Sequence, residues 1–418
     1  MLENRKTIPY PMGDEVERHV MTDDDVMDDY YDDYIVNSYC DELTFVEFAI
    51  INSFLYESYR TKSSIVTVMN YGTSDNIGRL SYNGSFDVTS GFWFSAKLND
   101  DDNDYIIQTL IFLDNRGELV TQLSVSAKNG LSNIIFEELL TKIKSLAFNN
   151  SQYKGKCIKV KFTNNNFRGI EIIDIEEASN ELILNETQHK FIDHFVARVS
   201  RGGNVRYLLN GEPGTGKTES IREIARKLIP NVTFVIPEFK TTDDLVSIME
   251  ACEIFENGVI VMDDIDLFLG NREHGHYSSL LGQFLSFFDG VKKRKISLLA
   301  STNDKGLVDK AGQRPGRFNF ILDYGFLDDE QIVKVCNIHL AKEWQIDEVY
   351  KMLMSKIDGK QVKVTGAFIA NLASNINEMS CDYENWSLDD TLNLIKHSYK
   401  GFYASQISIE KTNMGFKV

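Results

Sequence analysis

At 418 residues the chain has room for two or three domains, and its 43% apolar content is ordinary for folded cores. Acidic residues outnumber basic ones 62 to 44, and the net charge of −18 argues against an extended nucleic-acid-binding face. The five cysteines (Cys40, Cys157, Cys252, Cys336 and Cys381) are dispersed and form no C-x-x-C pair, which fits free thiols in a reducing compartment rather than a disulfide framework or a zinc site.

The first residues carry no apolar core of a secretory signal, and the acidity that follows counts against a transit peptide. The apolar run from Leu43 to Leu55 contains Glu47 and is too short to span a bilayer. The expectation is a soluble cytoplasmic protein without a membrane partner. Residues 1–40 are dominated by the acidic run from Thr22 to Tyr34, read as a solvated, self-repelling segment. Residues 41–178 read as a separate α+β domain. A helix from Leu43 to Tyr59 is apolar on most of its surface. Strands follow at Ile65–Met69, Phe92–Leu98, Ile106–Leu113 and Leu119–Val125, separated by turn signals such as Asn83-Gly84. A helix over Leu131–Phe148 and strands at Ile158–Phe162 and Ile170–Ile175 complete it.

From Glu181 the periodicity changes. A helix over Gln188–Val199 leads into alternating strands and helices up to Tyr324, which predicts a doubly wound parallel sheet with helices on both faces. Beyond Asp328 the pattern is helical: Asp329–Trp344, Ile346–Ile357, Gly366–Glu378 and Leu388–Tyr399. The domain plan is therefore an acidic segment (1–40), an N-terminal α+β domain (41–178), an α/β domain (179–325), a helical lid (326–402) and a tail (403–418).

Within the α/β domain, Gly211-Glu212-Pro213-Gly214-Thr215-Gly216-Lys217-Thr218 matches the phosphate-binding pattern G-x-x-x-x-G-K-[ST]. An apolar strand precedes it, and Glu219 opens an amphipathic helix after it. Glycines let backbone N–H groups face phosphates at a helix N-terminus. Lys217 would reach the β- and γ-phosphates of a nucleotide, and Thr218 would ligate Mg2+. The run Val259-Ile260-Val261-Met262 ends in Asp263-Asp264, and ligands of such sheets sit at this end of a strand. Asp263 would hold magnesium and Asp264 would act on the attacking water as general base. A second buried strand, Ile296–Asp304, ends in polar residues, of which Thr302 or Asn303 would sense the γ-phosphate or place the water. Arg314 and Arg317, in a Pro-Gly turn, are candidates for stabilising a transferring phosphoryl group.

In order and spacing these segments resemble the AAA family of ATPases, over residues 182–400. Leu281–Val291 is similar to the helix before the family's sensor strand, and Gly366-Ala367 to its sensor-two motif. The resemblance implies a P-loop NTPase domain with a C-terminal helical lid, ATP and magnesium, and a ring-shaped homo-oligomer, usually a hexamer. It implies that Arg314 and Arg317 act on the neighbouring subunit's nucleotide. It also implies that Gly211 to Glu219, with Gly366 and Ala367, contact the nucleotide, and that Asn303 positions water. Two departures stand out. Asp264 replaces the family's usual glutamate and is one methylene shorter. The segment Pro237–Asp244 lacks a glycine after Phe239, unlike loops that grip an unfolded chain, and is closer to the bcs-type subgroup, although that subgroup's membrane anchor is not expected from this sequence. Residues 41–178 are then expected to hold a protein substrate or adaptor that ATP turnover remodels. An ATP-gated scaffold with little hydrolysis, kept open by Asp264, and a nucleic-acid motor, disfavoured by charge, are the alternatives. His274 and His276 read as part of a flexible loop, and Lys292–Lys295 as a solvated connection.

Overall fold

The structure is a computed structural model describing residues 37–73, 92–100, 103–113, 119–127, 132–163, 166–175, 182–238, 252–255, 257–266, 296–303, 318–340, 343–357, 360–361, 363–382 and 387–414. The acidic run 22–34, Phe239, both histidines of 270–277, the helix read at 281–291, Lys292–Lys295, Arg314 and Arg317 lie outside the described residues. Two compact units are distinguished, residues 1–173 with 230–258, and residues 174–229 with 259–418.

The first unit opens with β1 (Asn37–Glu42), α1 (Phe45–Thr61), β2 (Val66–Thr73), β3 (Phe92–Asp100), β4 (Asn103–Leu113) and β5 (Leu119–Ala127). The strands form an antiparallel sheet in the order β1-β5-β4-β3-β2. Thr44 and Glu47 form a reciprocal capping box that starts α1, with Thr44 N–H to Glu47 Oε2 at 2.9 Å and Glu47 N–H to Thr44 Oγ1 at 3.2 Å. Val46, Phe48, Ile50, Ile51, Phe54 and Leu55 are buried, which accounts for the apolar character of most of the α1 surface. Residues 37–40, next to the acidic run in sequence, are ordered by backbone pairing with β5 as part of β1.

Next come α2 (Asn133–Asn149), capped by Ser132, then β6 (Cys157–Thr163) and β7 (Asn166–Ile173). β6 pairs antiparallel with β7 and parallel with β9 (Phe234–Glu238), where Ile158 faces Val235, 77 residues further along the chain. Phe148 on α2 meets Phe255 edge to face at 5.4 Å.

The second unit contains α3 (Glu186–Ser200), β8 (Arg206–Gly211), α4 (Lys217–Leu228), β10 (Val259–Met262), β11 (Ser297–Thr302) and β12 (Phe320–Tyr324). Its strands run in the order β12-β8-β11-β10, all parallel. Tyr207, Leu208 and Leu209 of β8, and every residue of β10 and β11, are buried, as expected for parallel strands covered on both faces. Parallel pairing puts the C-terminal ends of β8, β10 and β11 at one edge: Thr302 lies opposite Asn210, and Met262 opposite Ala300. The mixed, parallel-dominated α/β class is the one expected from the sequence.

The lid is made of α5 (Asp329–His339), α6 (Glu343–Leu353), the short pair β13 (Lys356–Ile357) and β14 (Lys360–Gln361), α7 (Gly366–Asp382) and α8 (Leu388–Met414). Its core includes Val335, Cys336, Val349, Ile369, Leu372 and Ile395. The Tyr399 hydroxyl donates to Leu353 O and Ser355 O, at 2.9 and 3.0 Å. Several boundaries differ from the periodicity: the helix expected over 346–357 spans Glu343–Leu353, and Lys356–Ile357 pair in β13 instead. The helix expected over 329–344 ends at His339, whose carbonyl accepts from Asn377 Nδ2 at 2.8 Å instead of continuing the ladder. The last helix runs on through Gly401 to Met414, with no Pro in its length. No helix among the described residues is long and apolar enough to cross a membrane.

Candidate functional site

β8 ends at Gly211 and α4 begins at Lys217, so a tight loop joins a buried strand to a helix. Two glycines in this loop are demanded by the backbone. Gly214 has φ +79° and Gly216 φ +98°, left-handed conformations that residues with a Cβ rarely adopt. A Cβ on Gly214 would also stand 2.8 Å from that of Ala367, whereas around Gly216 the space is open. As N-cap of α4, Gly216 offers no side-chain acceptor to the first N–H groups of the helix. Unpaired donors and the positive end of the helix dipole together suit an anion such as phosphate.

Lys217 is only 5% exposed, so its ammonium needs acceptors. Its Nζ donates to Gly211 O at 2.8 Å, Glu212 O at 3.0 Å and Asn303 Oδ1 at 2.8 Å. Burial holds its pKa below the usual lysine value, against the pull of Asp264, Asp263 and Asp266.

The acidic strand end is wired just as closely. Thr218 Oγ1 donates to Asp263 Oδ2 at 2.8 Å. Ser301 Oγ donates to the other oxygen of Asp263 and accepts from the Asp264 N–H at 2.8 Å. Asp264 lies in the left-handed region, with φ +48°. Its Oδ1 accepts from Asn303 Nδ2 at 3.0 Å. Burial pushes the Asp264 carboxyl above the usual aspartate range, and the neighbouring charges of Asp263 and Asp266 add to this, while Asn303 and Lys217 oppose it. The Asn303 amide therefore joins Lys217 to Asp264, one end to each. Hard oxygen donors, the Thr218 hydroxyl beside the Asp263 carboxylate, suit magnesium.

These groups face a cavity of about 550 Å³, within the range of nucleotide-sized pockets. Pro213 to Glu219, Asp264 and Asn303 line its polar end, and Leu182, Ile183, Leu327, Val335 and Ile338 its apolar part. Gly366 and Ala367 also line it, and the Ala367 N–H donates to Gly214 O at 3.2 Å, seating the start of α7 on the loop. His339 joins the lining, and burial lowers its pKa, favouring the neutral ring.

Of the residues singled out from sequence, Pro213 to Glu219, Asp264, Asn303, Gly366 and Ala367 line one cavity, while Gly211, Glu212 and Asp263 bond directly to its lining. Sequence reading missed Ser301 and Asp266, which are hydrogen-bonded into the acidic cluster. Their signal was a polar residue at the end of an otherwise apolar strand, and a third carboxylate two residues after Asp264. It also missed the apolar wall and His339, which come from segments far apart in the chain.

The family model described as ATPase family associated with various cellular activities (AAA) matches residues 207–326. This chain carries an AAA domain. The match begins in β8 and takes in the glycine loop, the acidic pair and Asn303. A vesicle-fusing ATPase of Arabidopsis thaliana is 30% identical over 174 residues, which are 36% of this chain and 24% of that protein. A cell division cycle protein 48 homolog of Archaeoglobus fulgidus is 31% identical over 146 residues, 32% of this chain and 20% of that protein. The chain thus spans about a quarter or less of the length of these curated relatives. Within the AAA domain, the expected α/β fold and the glycine loop that names the P-loop class occur together.

Proposed function

We infer that the chain is a magnesium-dependent ATPase that works as a ring-shaped homo-oligomer, a hexamer in the simplest case, and remodels a protein or protein complex. The observation that carries this reading is the Lys217–Asn303–Asp264 line facing one cavity at the ends of parallel strands, beside Thr218, which also lines the cavity and bonds to Asp263. Residues 179–325 would form the catalytic α/β domain and 326–402 its lid. Residues 41–178 would hold the protein substrate or adaptor, with the acidic segment 1–40 before them and the tail 403–418 at the other end.

The residues divide the work as follows. Loop amides from Gly211 to Thr218 and the Lys217 ammonium bind the phosphates, the latter exchanging a carbonyl acceptor for a phosphate oxygen. Gly366 and Ala367 close the cavity over the loop. Thr218 and Asp263 would hold magnesium, which when bound neutralises charge on the β- and γ-phosphates. Asn303 donates to Asp264 and orients it, and Asp264 accepts a proton from water attacking the γ-phosphate. Arg314 and Arg317 of a neighbouring copy would stabilise the charge that develops.

A second reading, an ATP-gated scaffold with little turnover, is favoured by one observation: the Asp264 carboxylate is short, partly buried and already engaged by Asn303. Phosphate release from magnesium-ATP across a protein concentration series separates the two. Turnover per chain that rises with concentration and is lost in Arg317→Ala supports the ring ATPase. Tight ATP binding without release at any concentration leaves the scaffold.

A further inference from the structure

We propose that Asp266 is a positioning residue that acts through Asn303 and never touches the nucleotide. This rests on the reading of the cavity as an ATP site. Asn303 lines the cavity, and Asp266 does not. β11 ends at Thr302, whose register partner Asn210 closes the β8–β11 ladder. Asn303 is thus the first residue beyond the paired strand, and the ladder no longer fixes it. Asp266 takes over that task. One of its oxygens, Oδ1, accepts from the Asn303 N–H at 2.9 Å and from the Thr302 hydroxyl at 3.0 Å. A carboxylate accepting from a backbone N–H and a buried hydroxyl makes strong, short-range contacts.

The reason for fixing this backbone lies in the side chain it carries. An asparagine amide has one donor end and one acceptor end. Here the acceptor receives Lys217 Nζ and the donor serves Asp264 Oδ1, at 2.8 and 3.0 Å. Swapping the ends would set the amide NH2 against the lysine ammonium and its oxygen against a carboxylate. A small shift of the backbone would break one contact or both. The three-residue spacing from Asp263 to Asp266 thus couples the acidic strand end to the adjacent strand: Asp263 faces Thr218, Asp264 faces the Asn303 side chain, and Asp266 holds the Asn303 main chain.

The test compares Asp266→Ala, Asp266→Asn, Asn303→Ala and the double variant Asp266→Ala/Asn303→Ala, with the thermal midpoint of each recorded. Asn at 266 retains an oxygen acceptor for both donors, and Ala does not. Misplacement of a catalytic group by about 1 Å can cost on the order of 100-fold. Asp266→Ala should therefore lower kcat at least about tenfold while the KM for ATP stays within about twofold. Asp266→Asn should restore most of kcat. The double variant should be no slower than Asn303→Ala, since residues that act as one unit do not add. If Asp266→Ala does not fold, Asp266→Ser, too short to reach both donors, replaces it in the same cycle. Wild-type kcat in the Ala or Ser variant, losses that multiply in the double variant, or a folded Asp266→Asn as slow as the Ala variant each overturn the proposal. A wild-type chain that binds ATP without releasing phosphate sinks the ATPase reading instead. The positioning role is then read from the ratio of ADP to ATP dissociation constants. An equal fall of that ratio in Asp266→Ala and Asn303→Ala supports it, and an unchanged ratio in Asp266→Ala overturns it.

Discussion

In the five-stranded antiparallel sheet, Thr109 Oγ1 accepts from the Phe94 N–H at 2.9 Å and the Thr121 hydroxyl donates to Leu43 O at 2.8 Å. At the ends of the parallel strands, Lys217, Asn303, Asp264 and Thr218 face a cavity, joined by the Lys217–Asn303 and Asn303–Asp264 bonds and by the bond of Thr218 to Asp263. Both regions bury polar side chains; Thr109 is 0% exposed and Lys217 5%. In the first, a hydroxyl serves a main-chain group of its own unit, and the result is stability. In the second, side chains of opposite charge and hydrogen-bond sense serve each other, and binding a phosphate needs only an exchange of partners. Convergence on shared space, more than burial, distinguishes a site from a polar core.

The contrast can be broken most sharply at Lys217. Lys217→Ala should lower ATP turnover by about 10²- to 10³-fold, the scale of losing a charge-stabilising donor, and a phosphate-release assay on protein with a near wild-type thermal midpoint checks it. Thr109→Val should do the reverse. It removes the buried hydroxyl that accepts from the Phe94 N–H, at a cost of about 0.5–1.5 kcal/mol, which denaturant unfolding would read, while turnover per folded chain stays unchanged. Thr218→Ala should affect turnover less than Lys217→Ala does. Its magnesium demand should rise at least about tenfold, with turnover recovering at high magnesium. A magnesium titration that superimposes on the wild type would remove Thr218 from the metal site.

The glycine loop was legible because its chemistry is local: two left-handed glycines, a lysine and a hydroxyl must occur at fixed spacing for the backbone to turn as it does. The ends of β10 and β11 were legible because an apolar run that stops at a polar residue marks both a buried strand and its functional end. Pairing between distant segments was not. Cys157 and Phe234 face each other across β6 and β9, yet nothing local in either strand announces the other. Asp266, four residues past the end of β10, was hidden because its partners Thr302 and Asn303 come from another strand, and Ser301 for a related reason. In a strand buried on both faces the polar–apolar alternation that would tell which way a residue points is lost. The early end of α5 was equally invisible, since the amide that caps His339 O comes from Asn377, 38 residues away.

The most direct measurement follows bound nucleotide in Asp264→Asn beside the wild type, using magnesium-ATP and separating ATP from ADP on the protein. Asparagine keeps the size of the side chain and removes its ability to take a proton from water. If the site hydrolyses ATP as described, the variant retains intact ATP and releases phosphate at least about 100-fold more slowly, while the wild type carries ADP. Phosphate release by Asp264→Asn at the wild-type rate, or a wild-type chain that holds no ATP at all, would contradict the account.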